Sequence, residues 1–343
     1  MRGAGLDAQQ AQGLPSRLPG HVPFSAGQLF NVEGLVAVIT GGGTGIGLMM
    51  AKTLESNGAT VYIIGRRKGM LEKAAKDHAR FGNIIPLEGD ITSRDALLSI
   101  VETIRTRHGY IDLLVNNAAI ATNLYPHPLP GPLPSPDTTP PSIKPFQTAL
   151  WDCGSPQDFA DTFSTNVTAI YYTTVAFLDL LHQGNARRRK AELNPQSPAG
   201  GLPLPYQTSQ VLTVSSSGGF RIDAKVLSPS YTLSKAACTH LGKLLANLLA
   251  PWAIRSNVLA PGVFPTGGGT YNAIAAAEMT MATAPGVKLD PAVLAANVPV
   301  KRTGTEEDMA GTILFLASRA GAYVNGAVWL VDGGRVSTIS TTL

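Results

Sequence analysis

The chain has 343 residues, of which 44% are hydrophobic and 15% are charged, and this composition excludes an intrinsically disordered protein. Its 36 glycines and 25 prolines cluster instead of repeating at a fixed period, which excludes collagen-like and solenoid designs. The net charge of +4 arises from scattered lysines and arginines, so we expect no nucleic-acid partner.

The number of cysteines and the composition of the N-terminus bear on the cellular compartment. Cys153 and Cys238 are the only two cysteines, too few for a disulfide framework or a four-ligand zinc site, so we expect a reducing environment and no metal. The chain has no run of about 18 apolar residues, and its N-terminus lacks the apolar core of a secretory signal. We therefore expect a cytoplasmic protein without a membrane partner.

From Leu35 onward, short β-rich runs alternate with helix-length amphipathic stretches, a pattern typical of a parallel sheet with helices on both faces. The length alone would allow two domains. Without a leader and two insertions, however, about 265 residues remain, which fits one doubly wound domain. We predict a poorly packed arm over residues 1–30 and a single Rossmann-type α/β domain over 31–343. The predicted strands are Leu35–Thr40, Thr60–Ile64, Asn83–Leu87, Ile111–Val115, Val211–Ser215, Ile254–Leu259 and Ala327–Val331.

Three helix starts carry a hydroxyl residue three positions before an acid, which is the pattern of a capping box. These are Thr92-x-x-Asp95, Ser155-Pro156-x-Asp158 and Thr305-x-x-Asp308. Apolar residues recur at helical spacing after Pro156, so we predict one long helix over about 156–182. A second long helix is predicted from Tyr231 to about Leu249.

Three segments interrupt the alternation. Tyr125–Pro145 holds nine prolines, which disfavour helix and interior strand, so we predict an extended insertion over about 125–150. Gly184–Thr208 is predicted to be a surface loop, whose basic cluster at 187–190 is either solvated or bound to an acidic partner. Three glycines at 267–269 and an Ala/Met-rich stretch predict a hinged lid over about 266–300. Met279 and Met281 there serve ordinary packing or form an adaptable apolar wall.

A glycine-rich turn, Thr40-Gly41-Gly42-Gly43-Thr44-Gly45-Ile46-Gly47, follows the first strand directly and opens a helix. Gly41, Gly45 and Gly47 permit a tight turn and let the backbone approach a pyrophosphate, which the helix N-terminus attracts. The alternative is a turn that only reverses the chain. The preceding strand favours dinucleotide binding, with Thr44 and Ile46 also at the cofactor.

The second strand ends in Gly65-Arg66-Arg67, where an NAD-binding domain usually offers a carboxylate to the ribose. Two guanidinium groups suit the extra phosphate of NADP, because a planar cation binds phosphate with paired hydrogen bonds. A solvated arginine pair is the alternative. After the third strand, Asp90 and Ile91 are placed to border the adenine, although Asp90 could instead cap the next turn.

Tyr231 and Lys235 lie four residues apart, on one face of a predicted helix. A tyrosine holds its proton until about pH 10 unless a neighbouring cation favours the anion, and Lys235 can be that cation. A chance exposed pair is the alternative. Upstream, the strand at 211–215 delivers the hydroxyls of Ser215, Ser216 and Ser217 to the carboxyl edge of the sheet, where such folds bind ligands.

Taken together, these residues resemble the short-chain dehydrogenase/reductase family, over about residues 32–334 outside the two insertions. The resemblance is carried by TGGGTGIG at 40–47, Asn116-Asn117-Ala118-Ala119, Asn166 in STNVTAIY, Ser216, YTLSK at 231–235, IRSNVLAPGVFPT at 254–266 and VDGG at 331–334. It implies a seven-stranded parallel sheet of order 3-2-1-4-5-6-7. The insertions and proline content also resemble fungal oxoacyl and ketone reductases.

The resemblance implies a catalytic tetrad of Asn166, Ser216, Tyr231 and Lys235, with Tyr231 and Lys235 also at the cofactor. It further implies cofactor contacts from Asn117, Ala118, Ala119, Pro261, Gly262, Val263 and Thr266. Ala119 departs from the family's glycine. The segment from Ser216 to Tyr231 is about two residues longer than usual, so Ser215 or Ser217 could be the site hydroxyl. Thr44 stands where many NADP-using relatives have a basic residue, which leaves Arg66, supported by Arg67, to select the phosphate.

The expected activity is NADP(H)-dependent hydride transfer between the cofactor and a hydrophobic ketone or β-ketoacyl compound, or the corresponding secondary alcohol. Ser216 would stabilise the carbonyl oxygen, Tyr231 would donate the proton, Lys235 would hold the nicotinamide ribose, and Asn166 would fix a water. The alternatives are a non-redox enzyme, for dehydration or epimerisation, and an NADPH-binding regulator or scaffold. The long helices resemble those through which the family forms dimers and tetramers, so a homodimer or homotetramer is expected.

Overall fold

The computed structural model describes residues 25–126, 128–132, 142–192, 207–223, 228–264, 296 and 298–342. Their centre is a seven-stranded sheet in the order β3-β2-β1-β4-β5-β6-β7, in which every adjacent pair is parallel. This is the doubly wound α/β topology that the sequence predicts. The crossover between the halves lies beside β1, where such sheets bind ligands at their carboxyl ends.

The strands lie within two residues of their predicted bounds. They are β1 Val36–Thr40, β2 Thr60–Gly65, β3 Ile84–Glu88, β4 Leu113–Asn116, β5 Gln210–Val214, β6 Arg255–Pro261 and β7 Val328–Val331. Strands β1, β4, β5 and β6 are buried throughout, as expected where helices cover both faces.

Helices pack on both faces. Among the described residues they are α1 Ala26–Leu29, α2 Gly45–Ser56, α3 Lys68–His78, α4 Arg94–Arg107, α5 Lys144–Trp151, α6 Pro156–Phe163, α7 Ala169–Glu192, α8 Pro229–Leu249 and α9 Glu306–Ala317. Alternate residues of β1 supply the two cores: Ala37 and Ile39 pack with α2, α3 and α9, whereas Val36 and Val38 pack with α4, α7 and α8. No helix among the described residues is long and apolar enough to span a membrane.

Two of the three predicted capping boxes are confirmed, and one helix start is shifted. Ser155 and Thr305 each accept the backbone N–H of an acid three residues on, and each acid accepts the N–H of its cap. At the third start Ser93, and not Thr92, caps α4. The reason is that both the N–H and the hydroxyl of Thr92 donate to Asp90 Oδ1, at 2.9 and 2.7 Å.

The single long helix predicted over 156–182 is wrong in one respect. A π-helical turn, Ser164–Thr168, separates α6 from α7. The side chain of Asn166 within this turn bonds to the backbone of Ile120, on the loop after β4. A tertiary contact thus accompanies the break, which helical periodicity alone does not reveal.

The predicted loop at 184–208 is also wrong over its first part, because α7 continues to Glu192. Residues 193–206 lie outside the described residues. The basic cluster is not simply solvated: Arg187 and Arg188 donate to the buried carboxylate of Asp112, at 3.1 and 3.0 Å. Asp112 Oδ2 also accepts the Val36 N–H at 2.9 Å. This buried charge cluster therefore anchors the extended helix to the start of β1.

The proline-rich insertion ends in a helix where none was predicted. Helix α5 begins at Lys144 with Pro145 in its first turn, a position at which proline lacks no needed hydrogen bond. Residues 127 and 133–141 of the insertion lie outside the described residues, as do residues 1–24 of the predicted arm. The predicted lid falls mostly on residues 265–295, which are likewise not described, Thr266, Met279 and Met281 among them.

Candidate active site

The glycine-rich turn lies at the carboxyl end of β1 and leads into α2. Gly41 has φ +66° and Gly45 φ +57°, left-handed conformations that glycine adopts without strain. A Cβ added to Gly47 would lie 2.4 Å from the Gly41 carbonyl oxygen, and one on Gly41 would lie 2.9 Å from Ala118 Cα. The turn thus requires glycine at both positions.

The N-terminus of α2 suits an anionic ligand. Its cap residue, Thr44, makes no side-chain capping bond, and its first turn, from Gly45 through Ile46 and Gly47, contains no acid. The backbone N–H groups there are available to phosphate oxygens, and the helix dipole favours negative charge. The close-packed turn and this helix end fit the pyrophosphate of a dinucleotide.

A network of hydrogen bonds ties the turn to the end of β4. The Thr40 hydroxyl accepts the N–H groups of Asn117 and Ala118, at 3.0 and 3.1 Å. The Asn117 side chain donates in return to the carbonyl oxygens of Thr40 and Gly41. Ala118 and Ala119 are partly exposed beside this network. The structure therefore brings the predicted NNAA segment against the glycine turn.

Arg66 and Arg67 follow β2 and are exposed, and Arg67 is the cap residue of α3. Asp90 follows β3, with buried Ile91 beside it. Burial alone would raise the pKa of Asp90, but the hydrogen bonds from Thr92 and the nearby charge of Arg66 outweigh it and lower the pKa. The carboxylate of Asp90 and the guanidinium group of Arg66 thus lie near each other where these strands end.

At the same carboxyl edge of the sheet, on the other side of β1, β6 ends at Pro261. The Gly262 N–H donates to Val331 at 2.9 Å, and the Val263 carbonyl accepts from Gly304 at 2.9 Å. A Cβ on Gly262 would lie 2.7 Å from Asp332 Cα, so this glycine permits close packing on the VDGG segment. Thr266 lies outside the described residues.

The three serines after β5 have different environments. The Ser215 hydroxyl donates to the Lys235 carbonyl at 2.9 Å and contacts Thr239 Oγ1 at 2.6 Å, so it is committed to α8. Ser217 is buried in the 3-10 turn Ser217–Phe220. Ser216 Oγ accepts the Gly218 N–H at 3.0 Å. A methyl group on Gly218 would lie 3.2 Å from Ser216 Oγ and 3.8 Å from Tyr231 Cε1, so these two side chains adjoin the same small space.

Tyr231 and Lys235 lie in the first turns of α8, one above the other as their spacing predicts. Tyr231 is 8% exposed and Lys235 is 2% exposed. The Lys235 ammonium lies 5.7 Å from the centre of the Tyr231 ring and donates to the Val214 carbonyl at 2.8 Å. A buried cation therefore lies beneath the phenol, close to the end of the strand that carries the serines.

Asn166 is fully buried, and its side chain is saturated. Its amide oxygen accepts the Ile120 N–H at 2.9 Å, and its amide nitrogen donates to the Ile120 carbonyl and to Ser234 Oγ, at 2.8 and 3.0 Å. Ser234 is next to Lys235 on α8. The structure thus brings Asn166 close to the predicted residue Lys235, with its side chain joining the π-helical turn, the loop after β4 and α8.

One residue at the site was missed by the sequence reasoning. Ser228 caps α8: its hydroxyl accepts the Tyr231 N–H at 3.1 Å and donates to the Thr122 carbonyl at 2.6 Å. The Ser228-Pro229 pair at a helix start is a recognisable signal, similar to the predicted start at Ser155. Ser228 therefore holds the first turn of α8, and Tyr231 within it, against the loop after β4.

We predict that Ser228→Ala lowers the unfolding free energy by about 0.5–2 kcal/mol, the usual value of a lost cap. It should also lower kcat by about tenfold, because the turn that carries Tyr231 is no longer held in place. Denaturant titration and steady-state kinetics measure the two effects. Thr305→Ala, which removes the cap of α9 away from Tyr231, should reduce stability alone. A Ser228→Ala enzyme with unchanged kcat would contradict the positioning role.

Comparison with known proteins identifies the family. Residues 35–190 match the family described as short chain dehydrogenase, and residues 201–335 match the one described as enoyl-(acyl carrier protein) reductase. The chain is 46% identical to the short-chain dehydrogenase/reductase VdtF of Byssochlamys spectabilis, over 92% of this chain and 96% of VdtF. It is 43% identical to PhomF of Diaporthe leptostromiformis, over 91% of this chain and 94% of PhomF.

The fold is similar to that of solved structures. The Pseudomonas aeruginosa RhlG/NADP active-site complex superimposes with a TM-score of 0.66 and 24% sequence identity, covering 90% of this chain and 98% of that one. This similarity agrees with the parallel sheet described above. The chain belongs to the short-chain dehydrogenase/reductase family of oxidoreductases.

Proposed function

We propose that this protein is an NADPH-dependent reductase of a ketone or a β-ketoacyl compound. The observation that carries the proposal is the convergence of Ser216, Tyr231 and Lys235 at the carboxyl edge of the sheet. The glycine-rich turn, which suits a dinucleotide, lies at the same edge of the sheet, after β1. A proton donor, a hydrogen-bond donor for the carbonyl oxygen and a cofactor site thus lie in one crevice. Carbonyl reduction requires these three features together.

When bound, the reduced nicotinamide supplies a hydride to the carbonyl carbon. Negative charge then develops on the carbonyl oxygen, which Ser216 stabilises by a hydrogen bond while Tyr231 donates its proton to that oxygen. The product is the secondary alcohol. Lys235, buried beneath the ring, stabilises the negative charge left on Tyr231.

Asn166 would be a positioning residue. Because its side chain is fully engaged by Ile120 and Ser234, it is poorly placed to hold a water with that side chain. We infer that it keeps the π-helical turn and α8 in register, so that a water reaching Lys235 is held by the backbone around it. Lys235 then passes a proton back to Tyr231 after each turnover.

The preference for NADPH rests on the charges after β2. Arg66 and Arg67 are exposed there, and the residue that follows Gly65 is not an acid. Asp90, which is placed after β3, accepts two hydrogen bonds from Thr92. The guanidinium groups therefore offer a site for the 2′-phosphate, which NADH lacks.

Arg66→Ala should weaken NADPH binding by about 10- to 100-fold, the usual value of one or two charged hydrogen bonds, and leave NADH binding within about twofold. Fluorescence titration of both cofactors measures this. Lys76→Ala is the matched control, because Lys76 is an exposed cation in the last turn of α3, the helix that follows Arg66 and Arg67. Equal losses for NADPH and NADH would remove the argument for the phosphate.

The substrate class follows from the family more than from the pocket walls, since residues 265–295 are not described. The description of the C-terminal family match names an acyl substrate on a carrier protein, and the pair of hydroxyl groups from Ser216 and Tyr231 suits a carbonyl oxygen. We therefore propose a medium to large hydrophobic ketone or β-ketoacyl compound. Neither relative compared above carries a substrate in its name.

NADPH oxidation with a panel of ketones and β-ketoacyl thioesters tests the proposal, with each product identified by mass spectrometry. Alcohol formed in equal amount to NADPH consumed supports the reductase. Product without NADPH consumption would indicate dehydration or epimerisation instead. NADPH binding without any product would indicate a regulator or scaffold, whose partner would meet the segments at 125–145 or 184–208.

We also propose that the protein acts as a homodimer or homotetramer. Helix α7 exposes Tyr171, Tyr172 and Val175, and α8 exposes Leu244 and Leu248, each by at least 40% of its surface. Apolar faces of this kind on two long helices favour association. Light scattering coupled to size-exclusion chromatography tests it, and a monomer at micromolar concentration would refute it.

A further inference from the structure

A second cavity lies at the carboxyl edge of the sheet, apart from the tetrad. It has a volume of about 690 Å³ and is lined on its charged side by Arg221, Asp223, Lys301 and Arg335. The Phe220–Ile222 segment forms one wall by pairing with the C-terminal residues: the Ile222 N–H donates to Ser340 at 3.0 Å and the Thr342 N–H to Phe220 at 2.9 Å. Val298, Pro299 and Ile339 add an apolar side.

Arg335 has an unused hydrogen-bond donor in this wall. Its Nε is buried and has no hydrogen-bond partner among the described residues. The two carboxylates nearest to it are already engaged. Asp223 accepts both Nε and Nη2 of Arg221 at 2.7 Å, and the two oxygens of Asp332 accept the N–H groups of Gly334 and Val336.

Lys301 adds a second cation, for which the described part of the chain shows no carboxylate partner. Its ammonium donates to the Ala296 carbonyl at 3.3 Å, a weak and exposed contact. Of the four charged residues that line the cavity, three are cationic and one is acidic, so the wall carries an excess of positive charge. Burial lowers the pKa of Arg335 and the charge of Arg221 lowers it further, whereas the charges of Asp223 and Asp332 raise it by less.

We infer that this cavity binds an acidic group of the substrate, a carboxylate or a phosphate, at a distance from the carbonyl that is reduced. Arg335 and Lys301 supply the charged hydrogen bonds, and the apolar side covers the adjoining chain. This inference rests on the proposed reductase function and names a feature of its substrate.

The location supports a substrate group over a structural ion. Arg221 is five residues after Ser216, so their Cα atoms are at most about 18 Å apart. Asp332 and Arg335 follow β7 at the same edge of the sheet. An acyl chain on a phosphate-bearing carrier, or a long oxo acid, is long enough to place its carbonyl at Tyr231 and its acidic end in the cavity.

The test compares substrates that differ only in the acidic group. Acetoacetyl-CoA and acetoacetyl-N-acetylcysteamine share the same carbonyl and thioester, but the second lacks phosphates; a long-chain oxo acid and its methyl ester form the carboxylate pair. The ratio of kcat/KM for the charged to the neutral member is measured for the wild type, Arg335→Gln and Lys301→Gln. Arg319→Gln, in the turn before β7, is the matched control.

The ratio for at least one pair should fall by about 10- to 100-fold in Arg335→Gln, less in Lys301→Gln, and not at all in Arg319→Gln. The pair affected tells a phosphate from a carboxylate. Ratios unchanged by Arg335→Gln overturn the inference. So does calorimetric binding of inorganic phosphate that depends on Arg335 while charged and neutral substrates react alike, because the site then serves a free ion.

A calorimetric titration with acetoacetyl-CoA and the oxo acid separates this inference from the proposed function. Should no ketone be reduced, the reductase assignment fails, but binding of either compound that weakens in Arg335→Gln still supports the acid site. Binding that is equal in the wild type and Arg335→Gln, or absent from both, overturns it.

Discussion

Tyr231→Phe should reduce turnover by about 10²- to 10⁴-fold while changing the dissociation constant of NADPH by less than about threefold. The substitution removes one oxygen from a ring that is 8% exposed, so the packing of α8 against the loop after β4 is retained. Only the proton donor is lost. Kinetics with the best substrate of the ketone panel, together with an NADPH titration, measure the two quantities.

Tyr171→Phe is the control for this result, because it removes a phenolic oxygen from an exposed position on α7. It should leave turnover unchanged. The unfolding free energy of both variants should stay close to that of the wild type. If Tyr231→Phe retained full activity, the proton would have to come from another group, and the catalytic role assigned to the convergence of Ser216, Tyr231 and Lys235 would be lost.

Gly47→Ala should abolish measurable cofactor binding and lower the midpoint of thermal unfolding. The new methyl group would lie 2.4 Å from the Gly41 carbonyl oxygen and 2.5 Å from Asn117 Nδ2, closer than real contacts allow. Both neighbours belong to the network between β1 and β4, so relief of the clash opens the turn that the pyrophosphate would contact. Thermal unfolding with and without NADPH measures both effects.

Gly311→Ala provides the contrast. Gly311 lies within α9, and a Cβ there would meet nothing within 4 Å. Alanine is the better helix former, so this variant should be neutral or more stable by about 0.5–1 kcal/mol. It should bind NADPH normally. Normal cofactor binding by Gly47→Ala would contradict this prediction, because it would show that the glycine-rich turn tolerates the methyl group.

Features set by local chemistry were predictable from the chain. The strands follow from β-rich runs at regular intervals, and the starts of α6 and α9 follow from a hydroxyl residue and an acid at fixed spacing. The glycine turn and the Tyr231/Lys235 pair were also recognisable, because each depends on residues within one turn of backbone. These elements needed no knowledge of distant contacts.

Two of the errors share a cause, since each involves partners far apart in the chain. The π-helical turn accompanies the contact of Asn166 with Ile120, 46 residues away. The extension of α7 accompanies the contact of Arg187 with Asp112, 75 residues away. In isolation, a basic stretch next to proline and glycine favours a loop. A buried carboxylate stabilises it as helix, because a charge removed from water needs an opposite charge close by.

The same distinction between local sequence signals and long-range contacts applies to the candidate active site. The amino-acid sequence by itself determined the order of strands and helices, the glycine-rich turn and the types of side chain available for proton transfer. Only the tertiary structure decided which of three adjacent serines adjoins Tyr231, that Ser228 holds the turn that carries Tyr231, and that Arg335 Nε has no hydrogen-bond partner among the described residues. The orientation of a hydroxyl or a guanidinium depends on hydrogen-bond partners that packing brings together from different strands and helices, and local sequence does not specify those partners.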